Sequence, residues 1–250
     1  MNIHGFLTLT LLDYPGQLAC VLFLGGCNLR CPFCQNGNLV LAPEKEPCIA
    51  EKEIFSFLQK RKKLLDGVCI TGGEPTLYKE LPDFIQKIKE LGYLVKLDTN
   101  GTNPDMLRHL HEEHLIDYVA MDIKSSLSGY AAVAGLEPKS TLTETLLQNI
   151  AASAEYLMRS GIDYEFRTTV VRELHSSTDF SEIARWLSGC RRYYLQIYRE
   201  SENILASMKT PEISFHAPSA EELENYCTIL RKTIPATEIR GLDKSQLPSD

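Results

Sequence analysis

No apolar run in this chain is long enough to cross a bilayer. The best, residues 18–24, is seven residues long, about a third of what a spanning helix needs, and it reads as a buried strand. No basic segment precedes it, whereas Asp13 and Pro15 do, so Leu24-Gly25-Gly26-Cys27 is not read as a secretory lipid-attachment signal. Positive charge is also scarce. With 26 Lys and Arg against 33 Asp and Glu, the net charge is −7, which argues against a general nucleic-acid surface. The one basic cluster, Lys60-Arg61-Lys62-Lys63, lies on a helical pattern beside Glu51 and Glu53 and reads as a solvated helix face. There is no repeat of fixed short period, no heptad pattern and no low-complexity tract. Cysteine is modest, eight in 250 residues, and Cys20, Cys69, Cys190 and Cys227 sit in apolar or helical contexts that suit packed thiols. These absences predict a cytoplasmic protein in a reducing compartment, with neither a membrane nor a nucleic acid as partner.

What is present is an alternation. Strands are predicted at 18–24, 68–71, 93–97, 118–123, 164–171 and 193–197, and helices at 52–65, 81–91, 105–113, 179–187 and 220–231. One more helix carries Leu142, Leu146, Ile150, Ala154 and Leu157 at helical spacing and stops at Gly161. Asn103-Pro104 supplies a cap and a first-turn proline. Six strand–helix units make the strands parallel by the right-handed crossover rule, and 44% apolar residues in a 250-residue chain can fill one α/β domain spanning 1–250, with a frayed tail at about 243–250. Periodicity alone allows an open twisted sheet or an incomplete barrel. In both, ligands gather at the carboxyl ends of the strands.

Polar residues and glycines gather at those ends. Gly25-Gly26-Cys27 follows the first strand, Thr71-Gly72-Gly73-Glu74-Pro75-Thr76 the second, and Asp98-Thr99-Asn100-Gly101 the third. Asp122 and Lys124 end the fourth, Arg167, Thr168 and Thr169 lie in the fifth, and Gln196 lies in the sixth. The most specific signal is Cys27-Asn28-Leu29-Arg30-Cys31-Pro32-Phe33-Cys34, a C-x3-C-x2-C spacing. Three thiolates can hold three irons of a [4Fe-4S] cube, and no fourth cysteine follows at ferredoxin spacing, which leaves one iron for a non-protein ligand. Zinc is the plainer reading of such a cluster, but it wants a fourth ligand close by, and the nearest later candidate is Cys48. A compact ligand bearing an amine and a carboxylate could chelate the open iron. Backbone groups around Gly72-Gly73-Glu74 could then receive its ammonium and Lys124 its carboxylate. Phe33, between two of the thiols, could cover the cluster from water and stack near a base.

These motifs resemble the radical S-adenosylmethionine superfamily and, within it, the activating enzymes of glycyl-radical enzymes. The resemblance runs from His4-Gly5-Phe6 through Leu12-Asp13-Tyr14-Pro15-Gly16 and the cysteine motif to the sixth strand. The fullest likeness is to the longer form of the anaerobic ribonucleoside-triphosphate reductase activating proteins, on Cys34-Gln35-Asn36, Gly72-Gly73-Glu74-Pro75-Thr76, Asp98-Thr99-Asn100-Gly101 and Met121-Asp122-Ile123-Lys124. It implies a partial (β/α)6 TIM-like barrel of parallel strands, the radical SAM core. There a reduced [4Fe-4S] cluster cleaves S-adenosylmethionine, and the resulting 5'-deoxyadenosyl radical takes hydrogen from a glycine Cα of a partner protein. It implies Cys27, Cys31 and Cys34 as iron ligands, with Phe33, Asn36, Gly72, Gly73, Glu74, Asn100, Lys124, Arg167 and Gln196 around S-adenosylmethionine. The family position that can carry histidine near the end of the sixth strand falls at Gln196 or Tyr198. Asp98, Thr99, the Ala120 carbonyl and Asp122 correspond to a monovalent-cation site. The implied partner is a glycyl-radical enzyme, anaerobic ribonucleoside-triphosphate reductase first, with flavodoxin or ferredoxin as external reductant because no ferredoxin-like cysteine insertion is present. A pyruvate formate-lyase-type activating enzyme and a small-molecule enzyme of the pterin ring-contracting class remain alternatives, and a non-enzymatic metal or electron-transfer module is a third.

Overall fold

The computed structural model describes residues 1–199, 201, 204–208, 210 and 212–241, so the expected tail at 243–250 lies outside the described residues. Among the described residues eight strands follow one another across one sheet in chain order: β1 (Ile3–Thr10), β2 (Ala19–Leu24), β3 (Gly67–Gly72), β4 (Leu94–Thr99), β5 (Tyr118–Asp122), β6 (Asp163–Val170), β7 (Tyr193–Ile197) and β8 (Thr237–Arg240). Between them run α1 (Gly37–Leu41), α2 (Glu51–Arg61), α3 (Leu81–Glu90), α4 (Pro104–Glu112), α5 (Tyr130–Val133), α6 (Thr141–Ser160), α7 (Ser177–Trp186) and α8 (Ala220–Arg231). β1 is antiparallel to β2, while β2, β3 and β4 are mutually parallel, as are β6, β7 and β8. This mostly parallel alternation is that of a partial (β/α) barrel. The six expected strands are β2 to β7; β1 and β8 are additions. Among the described residues no helix is long and apolar enough to cross a membrane.

The chain divides into two compact units. The first comprises Met1–Asn28, Asn36–Ala120 and Asn149–Asp163. Its parallel strands read as continuous apolar runs because both faces are covered, and Leu22, Cys69, Ile70, Val95 and Leu97 have no exposed surface. α3 buries Leu81, Phe84, Ile85 and Ile88, and α4 buries Leu107 and Leu110. Asn103 caps α4 by accepting from the Met106 amide at 3.2 Å. Tyr14 reaches across to Tyr118, ring centroids 5.9 Å apart, over Gly67, where a Cβ would stand 2.8 Å from the Tyr14 ring. Burial pushes the Cys20 thiol up to about 12 and the Cys69 thiol higher still, as expected of packed rather than reactive cysteines.

The second unit comprises Leu29–Gln35, Met121–Gln148 and Tyr164–Asp250. Here α7 and α8 each begin with a capping box, Ser176 with Asp179 and Ser219 with Glu222, which satisfies otherwise orphaned amides at both starts. The helices meet through Phe180 and Tyr226, stacked at 4.4 Å. Arg240 ties β8 to β6 with two bonds to Glu165, at 2.7 and 2.8 Å, and its guanidinium lies 3.3 Å over the Tyr194 ring. Cys190 and Cys227 are buried, their thiols pushed up to about 12 and about 11 by desolvation.

Candidate cofactor site

In the first unit the chain leaves β2 through Gly25-Gly26-Cys27 and leaves β3 through Gly72-Gly73-Glu74, and the two exits are locked together by backbone. The Gly73 amide donates to the Leu24 carbonyl at 2.8 Å, and the Glu74 amide to the Gly26 carbonyl at 2.8 Å. A Cβ on Gly73 would stand 1.8 Å from the Gly26 oxygen, and one on Gly72, at φ +121°, would stand 2.3 Å from Leu24 backbone. Only glycine permits this approach. Tyr78 donates to the Gly25 carbonyl at 2.8 Å, and the Asn36 side chain to the Gly72 carbonyl at 3.2 Å.

Glu74 is fully buried with its carboxylate turned into the protein. One oxygen accepts from the Thr76 amide at 3.0 Å, the Thr76 hydroxyl at 2.5 Å and the Thr99 hydroxyl at 2.8 Å; the other accepts from the Asn100 amide at 2.6 Å. Burial raises its pKa and these four donors oppose the rise. The acid therefore fastens the β3 exit to the β4 exit. Asn100 carries the connection onward. Its carboxamide oxygen accepts from the Thr102 amide and hydroxyl, and its nitrogen donates to Asn28 at 3.0 Å and toward the Cys27 sulfur at 3.8 Å. Asn28 in turn donates to Thr102 at 2.8 Å. Asn28, Thr76 and Thr102 were not singled out in the sequence, although each lies inside or beside a motif that was.

Leu29–Gln35 belongs to the second unit and is fastened within it. The Arg30 amide donates to the Ala134 carbonyl at 2.9 Å, the Ala206 amide to Pro32 at 2.9 Å and the Leu205 amide to Cys34 at 2.9 Å. Gly135, at φ +64°, lies so close that a Cβ there would be 2.0 Å from the Arg30 oxygen. Phe33 is buried, its ring edge-on to Tyr198 at 6.3 Å. All three thiols are free of disulfides, Cys31 buried and Cys27 and Cys34 partly exposed.

At the exits of β5 and β6, Asp122 accepts from the Arg167 guanidinium at 2.5 Å on one oxygen and from the Lys124 ammonium at 3.0 Å on the other. Burial would raise the Asp122 pKa, but the two cations hold it well below the ordinary carboxylate value. For Lys124 burial opposes the charge, yet Asp122, then Cys31 and Tyr130, hold the ammonium protonated far above neutrality. The Lys124 backbone is fixed by His175, whose Nε2–H donates to the Lys124 carbonyl at 2.8 Å while Nδ1 accepts from the Val171 amide at 3.0 Å. This tautomer is assigned from those partners. Gln196 lies in β7, half-buried, in register with Thr169 of β6 and Arg240 of β8. No sequence signal marked His175 except its place directly before the Ser176 cap.

The donor chemistry fits an iron–sulfur cluster. Three soft thiols outside any disulfide follow one another on a loop fastened by backbone. The Asn100 amide donates toward the Cys27 sulfur and the Lys124 charge interacts with Cys31, partners that suit a sulfur ligand. Among the described residues no three His, Cys, Asp or Glu side chains converge as they would on one metal ion. A cube asks for something else, because each cysteine meets a different iron.

The model of the radical SAM superfamily matches residues 21–187. The chain is 30% identical over 242 residues, 96% of each protein, to a Methanocaldococcus jannaschii protein with the provisional name of glycyl-radical enzyme activating enzyme. It is 33% identical over 145 residues to the pyruvate formate-lyase-activating enzyme of Clostridium pasteurianum, covering 54% of this chain and 57% of that one. Over 81 residues it is 38% identical to the 7-carboxy-7-deazaguanine synthase of Aquifex aeolicus, 32% of this chain and 34% of that one. Among solved structures it resembles Streptococcus suis SuiB with a TM-score of 0.64 at 15% identity, over 88% of this chain and 48% of SuiB, a likeness of fold.

Proposed function

Because the chain belongs to the radical SAM superfamily, we propose that it activates a glycyl-radical enzyme, using S-adenosylmethionine to remove a glycine Cα hydrogen from that partner. The observation that carries this reading is the match, over 96% of both chains, to a relative provisionally named for that activity, together with the disulfide-free Cys27, Cys31 and Cys34. When bound, the cluster and S-adenosylmethionine supply reductive cleavage of a sulfur–carbon bond and a carbon radical able to abstract hydrogen.

The protein's own residues have separate tasks. Cys27, Cys31 and Cys34 would hold the cluster, three ligands that would leave it open to the cosubstrate. Gly72 and Gly73 offer backbone carbonyls to its ammonium, in a turn whose close packing on Leu24 and Gly26 a side chain at either position would break. Glu74 and Asn100 act through others, the first holding the glycine turn and the second orienting the Cys27 loop. Lys124 and Arg167 both pair with Asp122 and place positive charge where the cosubstrate's carboxylate would be received. Asn36 steadies the Gly72 carbonyl, Phe33 shields the loop from water, and Gln196 lends a polar contact from β7.

For the partner, the Clostridium pasteurianum relative favours a pyruvate formate-lyase-type enzyme over the anaerobic ribonucleoside-triphosphate reductase that the motifs suggest. A second reading, a small-molecule enzyme like the 7-carboxy-7-deazaguanine synthases, draws on a shorter stretch. One experiment separates the three. Pyruvate formate-lyase and the reductase, each deuterated at glycine Cα, are incubated anaerobically with reconstituted protein, a flavodoxin or chemical reductant and S-adenosylmethionine. Deuterium in 5'-deoxyadenosine from one of them is expected and identifies the partner. Transfer from neither, with turnover of a pterin, would overturn the activase reading.

A further inference from the structure

Lys96 lies in the middle of β4 with its side chain only 1% exposed, and its ammonium is paired with Asp98, two residues on and at the strand's exit. A buried ammonium without a counter-ion is strongly disfavoured, and its neighbour across the strands, Cys69, cannot serve, since burial holds that thiol protonated. Asp98 is therefore the anion that Lys96 requires. The same aspartate, with Thr99, Ala120 and Asp122, is the set that family resemblance assigns to a monovalent cation.

The side chains of that set do not fit the assignment. One Asp98 oxygen is already bound to a fixed ammonium. The Thr99 hydroxyl donates to Glu74 at 2.8 Å and accepts from the Gly101 amide at 3.1 Å. Both Asp122 oxygens are taken by Arg167 and Lys124. What an aspartate contributes to a sodium or potassium site is negative charge that no resident cation already compensates. Asp98 has a resident ammonium and Asp122 has two resident cations, so neither aspartate brings any. The position of Lys96 is also one where a strand of this kind would otherwise place an apolar residue, as its neighbours Val95 and Leu97 do.

Deepening the functional reading above and resting on it, we propose that the Lys96 ammonium takes the place of a bound monovalent cation beside Asp98, so that S-adenosylmethionine binding by this protein is independent of sodium and potassium. The charge is supplied covalently in every molecule and does not vary with the salt around it. Lys96 is a positioning residue, holding Asp98 and with it the Asp98-Thr99-Asn100 turn that reaches Glu74 and the Cys27 loop.

The test uses the full chain at fixed ionic strength in tetramethylammonium, sodium or potassium chloride. In the reconstituted wild type, the dissociation constant for S-adenosylmethionine should agree within about twofold among the three salts. Lys96→Met should bind about tenfold more weakly in tetramethylammonium, as loss of one charge-assisted contact predicts, and recover in sodium or potassium, which can enter the vacated place. Tenfold tighter binding by the wild type in sodium or potassium would overturn the proposal, as would a Lys96→Met protein that ignores all three salts. Thermal unfolding without cluster or S-adenosylmethionine provides an arm independent of the functional reading. The wild-type midpoint should be the same in each salt, whereas a sodium- or potassium-specific rise would contradict the proposal even if no variant folds. Absence of any S-adenosylmethionine binding by the wild type would instead sink the functional reading, with the unfolding arm still deciding for or against Lys96.

Discussion

Four hydrogen bonds offset the hydration that the Glu74 carboxylate loses on burial, and their donors come from Thr76, Thr99 and Asn100. An amide in its place would set an NH2 group against a donor. Hydroxyls can rotate away, but the Asn100 backbone N–H cannot. Glu74→Gln should therefore lower unfolding stability by roughly 1.5–3 kcal/mol, read by urea denaturation with an unchanged far-ultraviolet circular dichroism spectrum, and should weaken S-adenosylmethionine binding as the two exits lose register. A change within roughly 0.5 kcal/mol, the range of ordinary surface substitutions, would mean that the acid is not the fastener described. At this scale the sequence makes residue types and spacing legible, which is why Cys27, Cys31, Cys34 and Asn100 could be named from it. It does not make direction legible. Glu74 was named with the backbone groups around the cosubstrate, and the inward turn of its side chain depends on four donors, two of them from the distant β4 exit. Lys96 drew no notice, because a lone lysine in an apolar strand looks like an edge position until the fold buries it beside Asp98.

Between elements, the contact of greatest consequence is the one His175 makes from the turn before α7 to the exit of β5. Desolvation keeps the imidazole neutral and its pKa below the ordinary 6.5, despite hydrogen bonds that pull the other way. The sign follows from proton binding. As the pH falls below about 6.5, the unfolded chain takes up a proton that the folded chain refuses, so stability declines from that point down to the folded pKa and is unaffected above it. The slope contributed by one such group is at most about 1.4 kcal/mol per pH unit. His175→Gln keeps a donor for the Lys124 carbonyl and removes the titration, so urea unfolding of the cluster-free chain between about pH 7.5 and 5.5 should show a flatter profile in the variant. Parallel profiles would refute the assignment. Elements were legible in proportion to their burial. β2 to β7 appear as apolar runs, and α4 announces itself through Asn103-Pro104. β1 and β8 were missed for a common reason. β1 leaves Leu7 and Leu9 exposed on an edge with irregular register, and β8 is four residues of mixed polarity, so neither carries the pattern that covering both faces imposes.

Taken whole, the chain commits most of its polar groups at the strand exits to one another: Glu74 to Thr99 and Asn100, Asn100 to Asn28, Lys124 and Arg167 to Asp122. Such mutual commitment fixes the groups before any ligand arrives, which spares the ordering that binding would otherwise require. Fold class was legible from alternation alone, and the family from the cysteine spacing with the glycine turns in order. The partner was not, because recognition of one glycyl-radical enzyme over another depends on surfaces that no short motif encodes. Reductive cleavage of S-adenosylmethionine through the cysteine triad is read out by product analysis. After anaerobic reconstitution to about four irons per chain and reduction, the wild type should release 5'-deoxyadenosine and methionine in equal amounts, and Cys31→Ala should release neither. A reconstituted, reduced wild type that yields no 5'-deoxyadenosine, or a Cys31→Ala protein that yields as much as the wild type, would contradict it.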